Sequence, residues 1–157
     1  MLSKFQKGLI KMPIVGFNLT NLQAQKTKPL ESKEKELKIQ SKLGITAVKE
    51  EKLPTGKTKT DGLRFDFEFK LDYQPGIAKI AIEGFMYYMD DPKILKEITD
   101  QWKKEKNIPL DVKTQLLNTV VLRASIKALQ LEQEINVPPH MPFPSVKPVT
   151  RGKDYIG

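Results

Sequence analysis

Between Leu63 and Tyr73 the chain reads LRFDFEFKLDY, a run of strict alternation. Leu63, Phe65, Phe67, Phe69, Leu71 and Tyr73 fall on one side, and Arg64, Asp66, Glu68, Lys70 and Asp72 on the other. Successive side chains of a strand point to opposite faces, so an extended conformation separates the two sets cleanly and a helix does not. One face must be buried while the other meets water, which favours antiparallel pairing. Charges of both signs on the wet face suit cross-strand pairing.

The same period recurs in three other segments. In PIVGFNLTNLQAQ, Val15, Phe17 and Leu19 alternate with Gly16, Asn18 and Thr20. In ELKIQSKLGITAVKE, Leu37, Ile39, Leu43 and Ile45 alternate with polar residues. After the Pro75-Gly76 turn, IAKIAIEGFMYYM sets Ile80, Ile82, Met86 and Tyr88 on one face. Its other face starts with Lys79 and Glu83 and ends with Phe85, Tyr87 and Met89, which need a cover or a partner. The period then becomes helical. Asp90 and Asp91 offer an N-cap, Pro92 suits a first turn, and Ile94, Leu95, Ile98 and Trp102 make an apolar stripe that stops at Asn107-Ile108-Pro109. Asp111 is the expected cap of a second helix, with Val112, Leu116, Val120 and Leu129 in its stripe, running to about Ile135. Strands followed by helices predict an α+β fold: a four-stranded antiparallel meander covered by two C-terminal helices, with extended basic N- and C-terminal arms. The expected divisions are an amphipathic basic arm over 1–13, an α+β domain over 14–137, and a proline-rich strap with a basic tail over 138–157.

Reaction chemistry is sparse. With no cysteine there is no disulfide or thiolate metal site, which suits a reducing cytoplasm. The GKT of PTGKTKT, residues 54–60, lacks the first glycine of a phosphate loop and precedes a strand rather than a helix, so it reads as a lysine-rich hairpin loop. His140 is the chain's one histidine, set between prolines; packing or a backbone hydrogen bond is its expected role. No nucleophile–base pair is evident, and a non-enzymatic protein with no catalytic residue, metal or cofactor is expected. No apolar run approaches the roughly 20 residues of a membrane span.

Charge placement carries more. The net charge is +8, and residues 1–30 contain five lysines and no acid. Lys4, Lys7, Lys11, Lys26 and Lys28 at one end, with Lys147, Arg151 and Lys153 at the other, form a candidate RNA-binding set that would neutralise phosphates without reading sequence. Prolines at 138, 139, 142, 144 and 148 impose an extended course. The expectation is a strap laid back over the body, with Val137, Met141, Phe143 and Val146 pinned and the basic end released.

The order of four strands and two helices resembles the SecB-type export chaperones. The likeness is carried by GFNLTNLQAQ, by LRFDFEFKLDYQPGIAKIAIEGFMYYM and by DVKTQLLNTVVLRASIKALQLEQEI, and covers roughly residues 14–137. It implies a non-catalytic domain that oligomerises through its sheet and holds unfolded polypeptides in apolar grooves, with Phe85, Tyr87 and Met89 as groove candidates. Those chaperones are acidic, whereas this chain is basic. Its charged ends look more like those of small lineage-specific proteins of archaeal ribosomes. The first expectation is therefore a cytoplasmic, ribosome-associated protein whose partners are ribosomal RNA and neighbouring ribosomal proteins. The alternative is a SecB-like chaperone that binds unfolded polypeptides and forms homo-oligomers.

Overall fold

The computed structural model describes residues 13–29 and 37–148. The N-terminal amphipathic segment, Lys4, Lys7, Lys11, Arg151 and Lys153 lie outside them. Four strands are followed by two helices: β1 (Ile14–Lys26), β2 (Lys38–Thr55), β3 (Thr58–Gln74), β4 (Ala78–Tyr88), α1 (Pro92–Glu105) and α2 (Leu110–Glu134). The sheet is antiparallel throughout, in the order β1-β4-β3-β2. Strands β2, β3 and β4 make the meander. β1 joins at the far edge beside β4, and just past its end the Thr27 amide donates to Ile77 O in the β3–β4 turn (2.7 Å).

The alternation read from the sequence sets the two faces. All six apolar residues from Leu63 to Tyr73 are buried, with Ile80, Ile82, Met86 and Tyr88 beside them on β4. Both helices cover this face: Leu95 and Ile98 of α1, and Val112, Leu116, Val120, Ala124 and Ala128 of α2, complete one core. Gly76 takes a positive φ of 58° in the turn after Pro75, a conformation glycine adopts at no steric cost.

Several local expectations change. Register shifts lie between Ile14 and Gly16 and between Leu19 and Asn21. The first breaks the alternation, so that Ile14 packs on the core and Val15 is exposed. Asp91 occupies the N-cap of α1 without a side-chain cap bond, and Asp90 accepts hydrogen bonds from Tyr88 Oη and the Asp91 amide. α1 stops at Glu105, before the expected Asn107-Ile108-Pro109, because Lys106 turns left-handed and its amide caps Trp102 O. Pro109, not Asp111, is the N-cap of α2, and Asp111 sits in its first turn. The helix is already bounded two residues earlier by proline's fixed φ.

The strap departs most. Val137 is buried as expected, but from Met141 to Pro148 every residue is exposed, Phe143 at 58% and Val146 at 99%. Among the strap's described residues only the root is fastened, by Val137 and by a polar network.

Candidate polypeptide-binding surfaces

Three regions of the surface contain groups able to act on a partner. On the open face of the sheet, β3's charges pair across strands. Glu68 meets Lys42 and Lys70 at 3.2 Å each, and Asp66 meets Arg64 at 2.8 Å and Lys49 at 3.5 Å. Partial burial acts to raise the Glu68 carboxyl, but the two lysines more than offset it and hold it below the usual range. Phe85 and Tyr87 meet edge-to-face with centroids 5.2 Å apart. The Arg64 guanidinium lies 3.9 Å above the Phe85 ring, and Tyr87 Oη donates to Glu51 at 3.4 Å. The aromatic pair is thus partly roofed by charged neighbours. Met89 contributes its amide, which donates to Pro13 O at 2.8 Å and so closes the end of the β1–β4 pair.

The second region is the side of α2 next to β1. Leu122 and Ile126 are 65% and 52% exposed, and with half-buried Leu129 they follow the i, i+4, i+7 spacing of one helix face. Below this ridge, a depression of about 320 Å³ is lined by Phe17, Leu19, Arg123, Ile126 and Lys127. Phe17 stacks on Phe67 (5.1 Å) on one side, and Arg123 lies 4.7 Å over its ring on the other. A second depression, about 420 Å³, lies at the far end of the ridge between Leu129, Gln133, Pro139 and Phe143.

The third region is the strap root. Glu132 is 1% exposed in the last turn of α2, a turn that contains no basic residue and ends at the negative pole of the helix. Its Oε1 receives both groups of one strap residue: it pairs with His140 Nδ1 and accepts the His140 amide at 3.3 Å. Glu132 Oε2 has no hydrogen-bond partner among the described residues. Tyr73 Oη, beside this carboxylate, gives its hydrogen to Pro138 O at 2.7 Å. The His140 ring stands edge-on to Phe69 at 5.8 Å, so packing and a backbone hydrogen bond are both present, together with the side-chain contact to Glu132.

His140 Nε2 also lies 3.4 Å from Ser125 Oγ. Carboxylate, imidazole and hydroxyl in that order match a hydrolytic triad, but Ser125 is only 9% exposed and sits inside α2. Interior helix amides are bonded to carbonyls four residues back, so the serine's own element supplies no oxyanion donor. The network's evident product is position: it fixes where the strap leaves the body. Among the described residues no three His, Asp or Glu side chains gather closely enough to hold a metal ion, and no helix is long and apolar enough to cross a membrane.

Tyr73 and Tyr88 give a pH test. Burial first, and then the carboxylates of Glu132 and Asp90 respectively, push both hydroxyls well above the ordinary phenol range. A folded-state value raised above the unfolded one means that the unfolded chain loses its proton first. Both groups therefore stabilise fully below the ordinary phenol value, and that contribution is lost as pH rises above about 10. In an absorbance titration the tyrosinate signal of these two residues should appear only with unfolding, and Tyr73→Phe with Tyr88→Phe should flatten the alkaline limb of the stability curve.

Three residues of the proposed RNA set, Lys26, Lys28 and Lys147, are among those described. Lys26 Nζ donates to Asn136 O at 3.3 Å beside the strap root, Lys28 is exposed beyond the end of β1, and Lys147 rides on the exposed strap. No family model matches the chain, and no curated protein matches it. Among solved structures it is similar to the SecB-like chaperone of Mycobacterium tuberculosis in complex with a ChAD peptide from the HigA1 antitoxin. The match has a TM-score of 0.51 and 13% identity, and it covers 87% of this chain and 91% of that one. The fold is therefore SecB-like.

Proposed function

We propose that the chain is a non-enzymatic, SecB-like chaperone that holds unfolded polypeptide segments along the α2 ridge and the depression beside β1. The observation that carries this reading is the placement of Leu122 and Ile126, large apolar side chains left in water on a helix whose core stripe is already satisfied. Their cost in solvent is recovered when an apolar partner covers them. The fold supports the same reading, since the similar chaperone was determined with a bound peptide. Arg123 and Lys127 on the rim offer cations to carboxylates and backbone carbonyls of a bound segment.

The ribosome-associated reading drew on the charge of the chain's ends. It finds less support, since the similar solved structure is a SecB-like chaperone.

The test is binding of reduced, carboxymethylated α-lactalbumin, a permanently unfolded probe, followed by fluorescence anisotropy. Leu122→Asp and Ile126→Asp should each weaken binding at least about tenfold, roughly 1.4 kcal/mol, whereas Phe85→Asp on the roofed open face should change it less. Binding should persist in high salt, because apolar contact is not screened. Light scattering of the same variants separates a second use of the ridge: a changed mass with unchanged probe affinity would assign it to self-association. Salt-sensitive co-sedimentation with ribosomal subunits, with no binding of the probe, would replace the proposal by the ribosomal one.

A further inference from the structure

The chain carries on itself a segment of the kind that such a ridge would hold. Residues 141–148, MPFPSVKP, contain three prolines and no acid, with Met141, Phe143 and Val146 spaced between polar or imino neighbours. Proline fixes its own φ and drives the preceding residue to extended backbone, so Met141 and Phe143 are held extended by local chemistry alone. The segment has little conformational entropy left to lose on docking.

Its root is immobilised on α2. Val137 is buried, its amide donates to Glu132 O at 3.0 Å, Tyr73 holds Pro138, and the buried Glu132 holds both the amide and the ring of His140. Three residues beyond that anchor, Phe143 lines the same depression as Leu129 and Gln133. Leu129 continues the ridge of Leu122 and Ile126 toward the C-terminal end of the helix. The strap is therefore aimed at one end of the ridge. It covers that end thinly, for Phe143 stays 58% and Met141 42% exposed.

We propose that the strap is a tethered, weak occupant of the polypeptide-binding surface. On this assignment Phe143 and Met141 compete with incoming segments at the Leu129 end, and the surface prefers extended, proline-containing, acid-poor apolar peptides like the strap itself. The inference rests on the chaperone reading above and names its regulation and ligand class. A short tether gives an effective concentration in the millimolar range, so even a weak contact in cis filters out ligands that bind no better than it does. Because the anchor is a polar network separate from the competing side chains, the occupant can be weakened without disturbing its root.

The deciding measurement uses the full chain and the same carboxymethylated α-lactalbumin probe, comparing wild type with the Met141→Ser/Phe143→Ser double variant. Both positions are exposed, so the variant keeps its fold, which circular dichroism checks. The variant should bind about 3- to 10-fold more tightly than wild type, the range expected when a millimolar internal competitor is removed. A synthetic peptide of residues 141–148 added in trans should displace the probe from the variant at lower concentration than a control peptide with Phe143 and Met141 replaced by serine. Equal affinity of wild type and variant overturns the inference and leaves the chaperone reading standing. Weaker binding by the variant also overturns it, since the strap would then contribute contacts to the ligand. Failure of wild type, double variant and peptide alike to bind overturns the chaperone reading and the inference with it.

Discussion

Replacing Gly84 with alanine is expected to remove most of the folding free energy of the domain. Gly84 lies in β4, opposite Leu19 and next to the register shift of β1. A Cβ there would stand 2.0 Å from the backbone oxygen of Asn18 and 2.9 Å from Cζ of Phe67. The ring of Phe67 can shift a little, but the carbonyl belongs to the strand itself, so β1 must move away from β4. That movement breaks the ladder along the edge and unpacks Phe17 from Phe67. Overpacking of an interior commonly costs about 1–3 kcal/mol, and a clash with backbone belongs in the exceptional range above about 4 kcal/mol. Set against a total of roughly 5–15 kcal/mol for a domain, such a loss leaves it barely folded. Urea unfolding decides the matter, and a variant within about 1 kcal/mol of wild type would show that the strands tolerate separation here.

The second large effect concerns the strap root. His140→Ala should destabilise the protein by about 2 kcal/mol, because it leaves the Glu132 carboxyl group, 1% exposed, without its side-chain hydrogen-bond partner in the interior. Much of that penalty is the unsatisfied buried polar group rather than the worth of the bond. The double variant Glu132→Leu/His140→Ala should therefore recover most of the loss, since an apolar residue of similar size needs no partner among Phe69, Ala128 and Val137. A double-mutant cycle by chemical denaturation measures the coupling directly. Additive costs for the two single changes would mean that the pair does not act as a unit.

These two sites differ in how far the sequence exposes them. The sheet faces were legible because LRFDFEFKLDY admits one assignment, and the buried set from Leu63 to Tyr73 matches it residue for residue. The neighbour of β1 was not legible, because alternation identifies a face but not a partner. The same limit hides the close approach at Gly84. Glu132 did leave a signal. The core positions of α2 step by four through Val112, Leu116, Val120, Ala124 and Ala128, and the next step lands on Glu132, an acid where burial was due. With the chain's one histidine eight residues later, that position is the mark of a buried polar group that needs a partner. The ridge was also visible in outline. VVL at 120–122, with Ile126, gives α2 more apolar surface than one stripe can bury. The strap was misjudged because proline spacing reports that a segment is extended and says nothing about what it touches.

The position of β1 also orders events during synthesis. β1 ends at Lys26 and its partner β4 ends at Tyr88, so about 60 residues must be added before the edge strand can pair. At roughly 5–20 residues per second, Phe17 and Leu19 wait about 3–12 seconds on a nascent chain while the β2–β3 hairpin can already form. Until β4 arrives, the growing chain displays an extended, apolar, unpartnered segment of its own, and under the proposed function it is for those seconds the kind of segment that finished copies would hold.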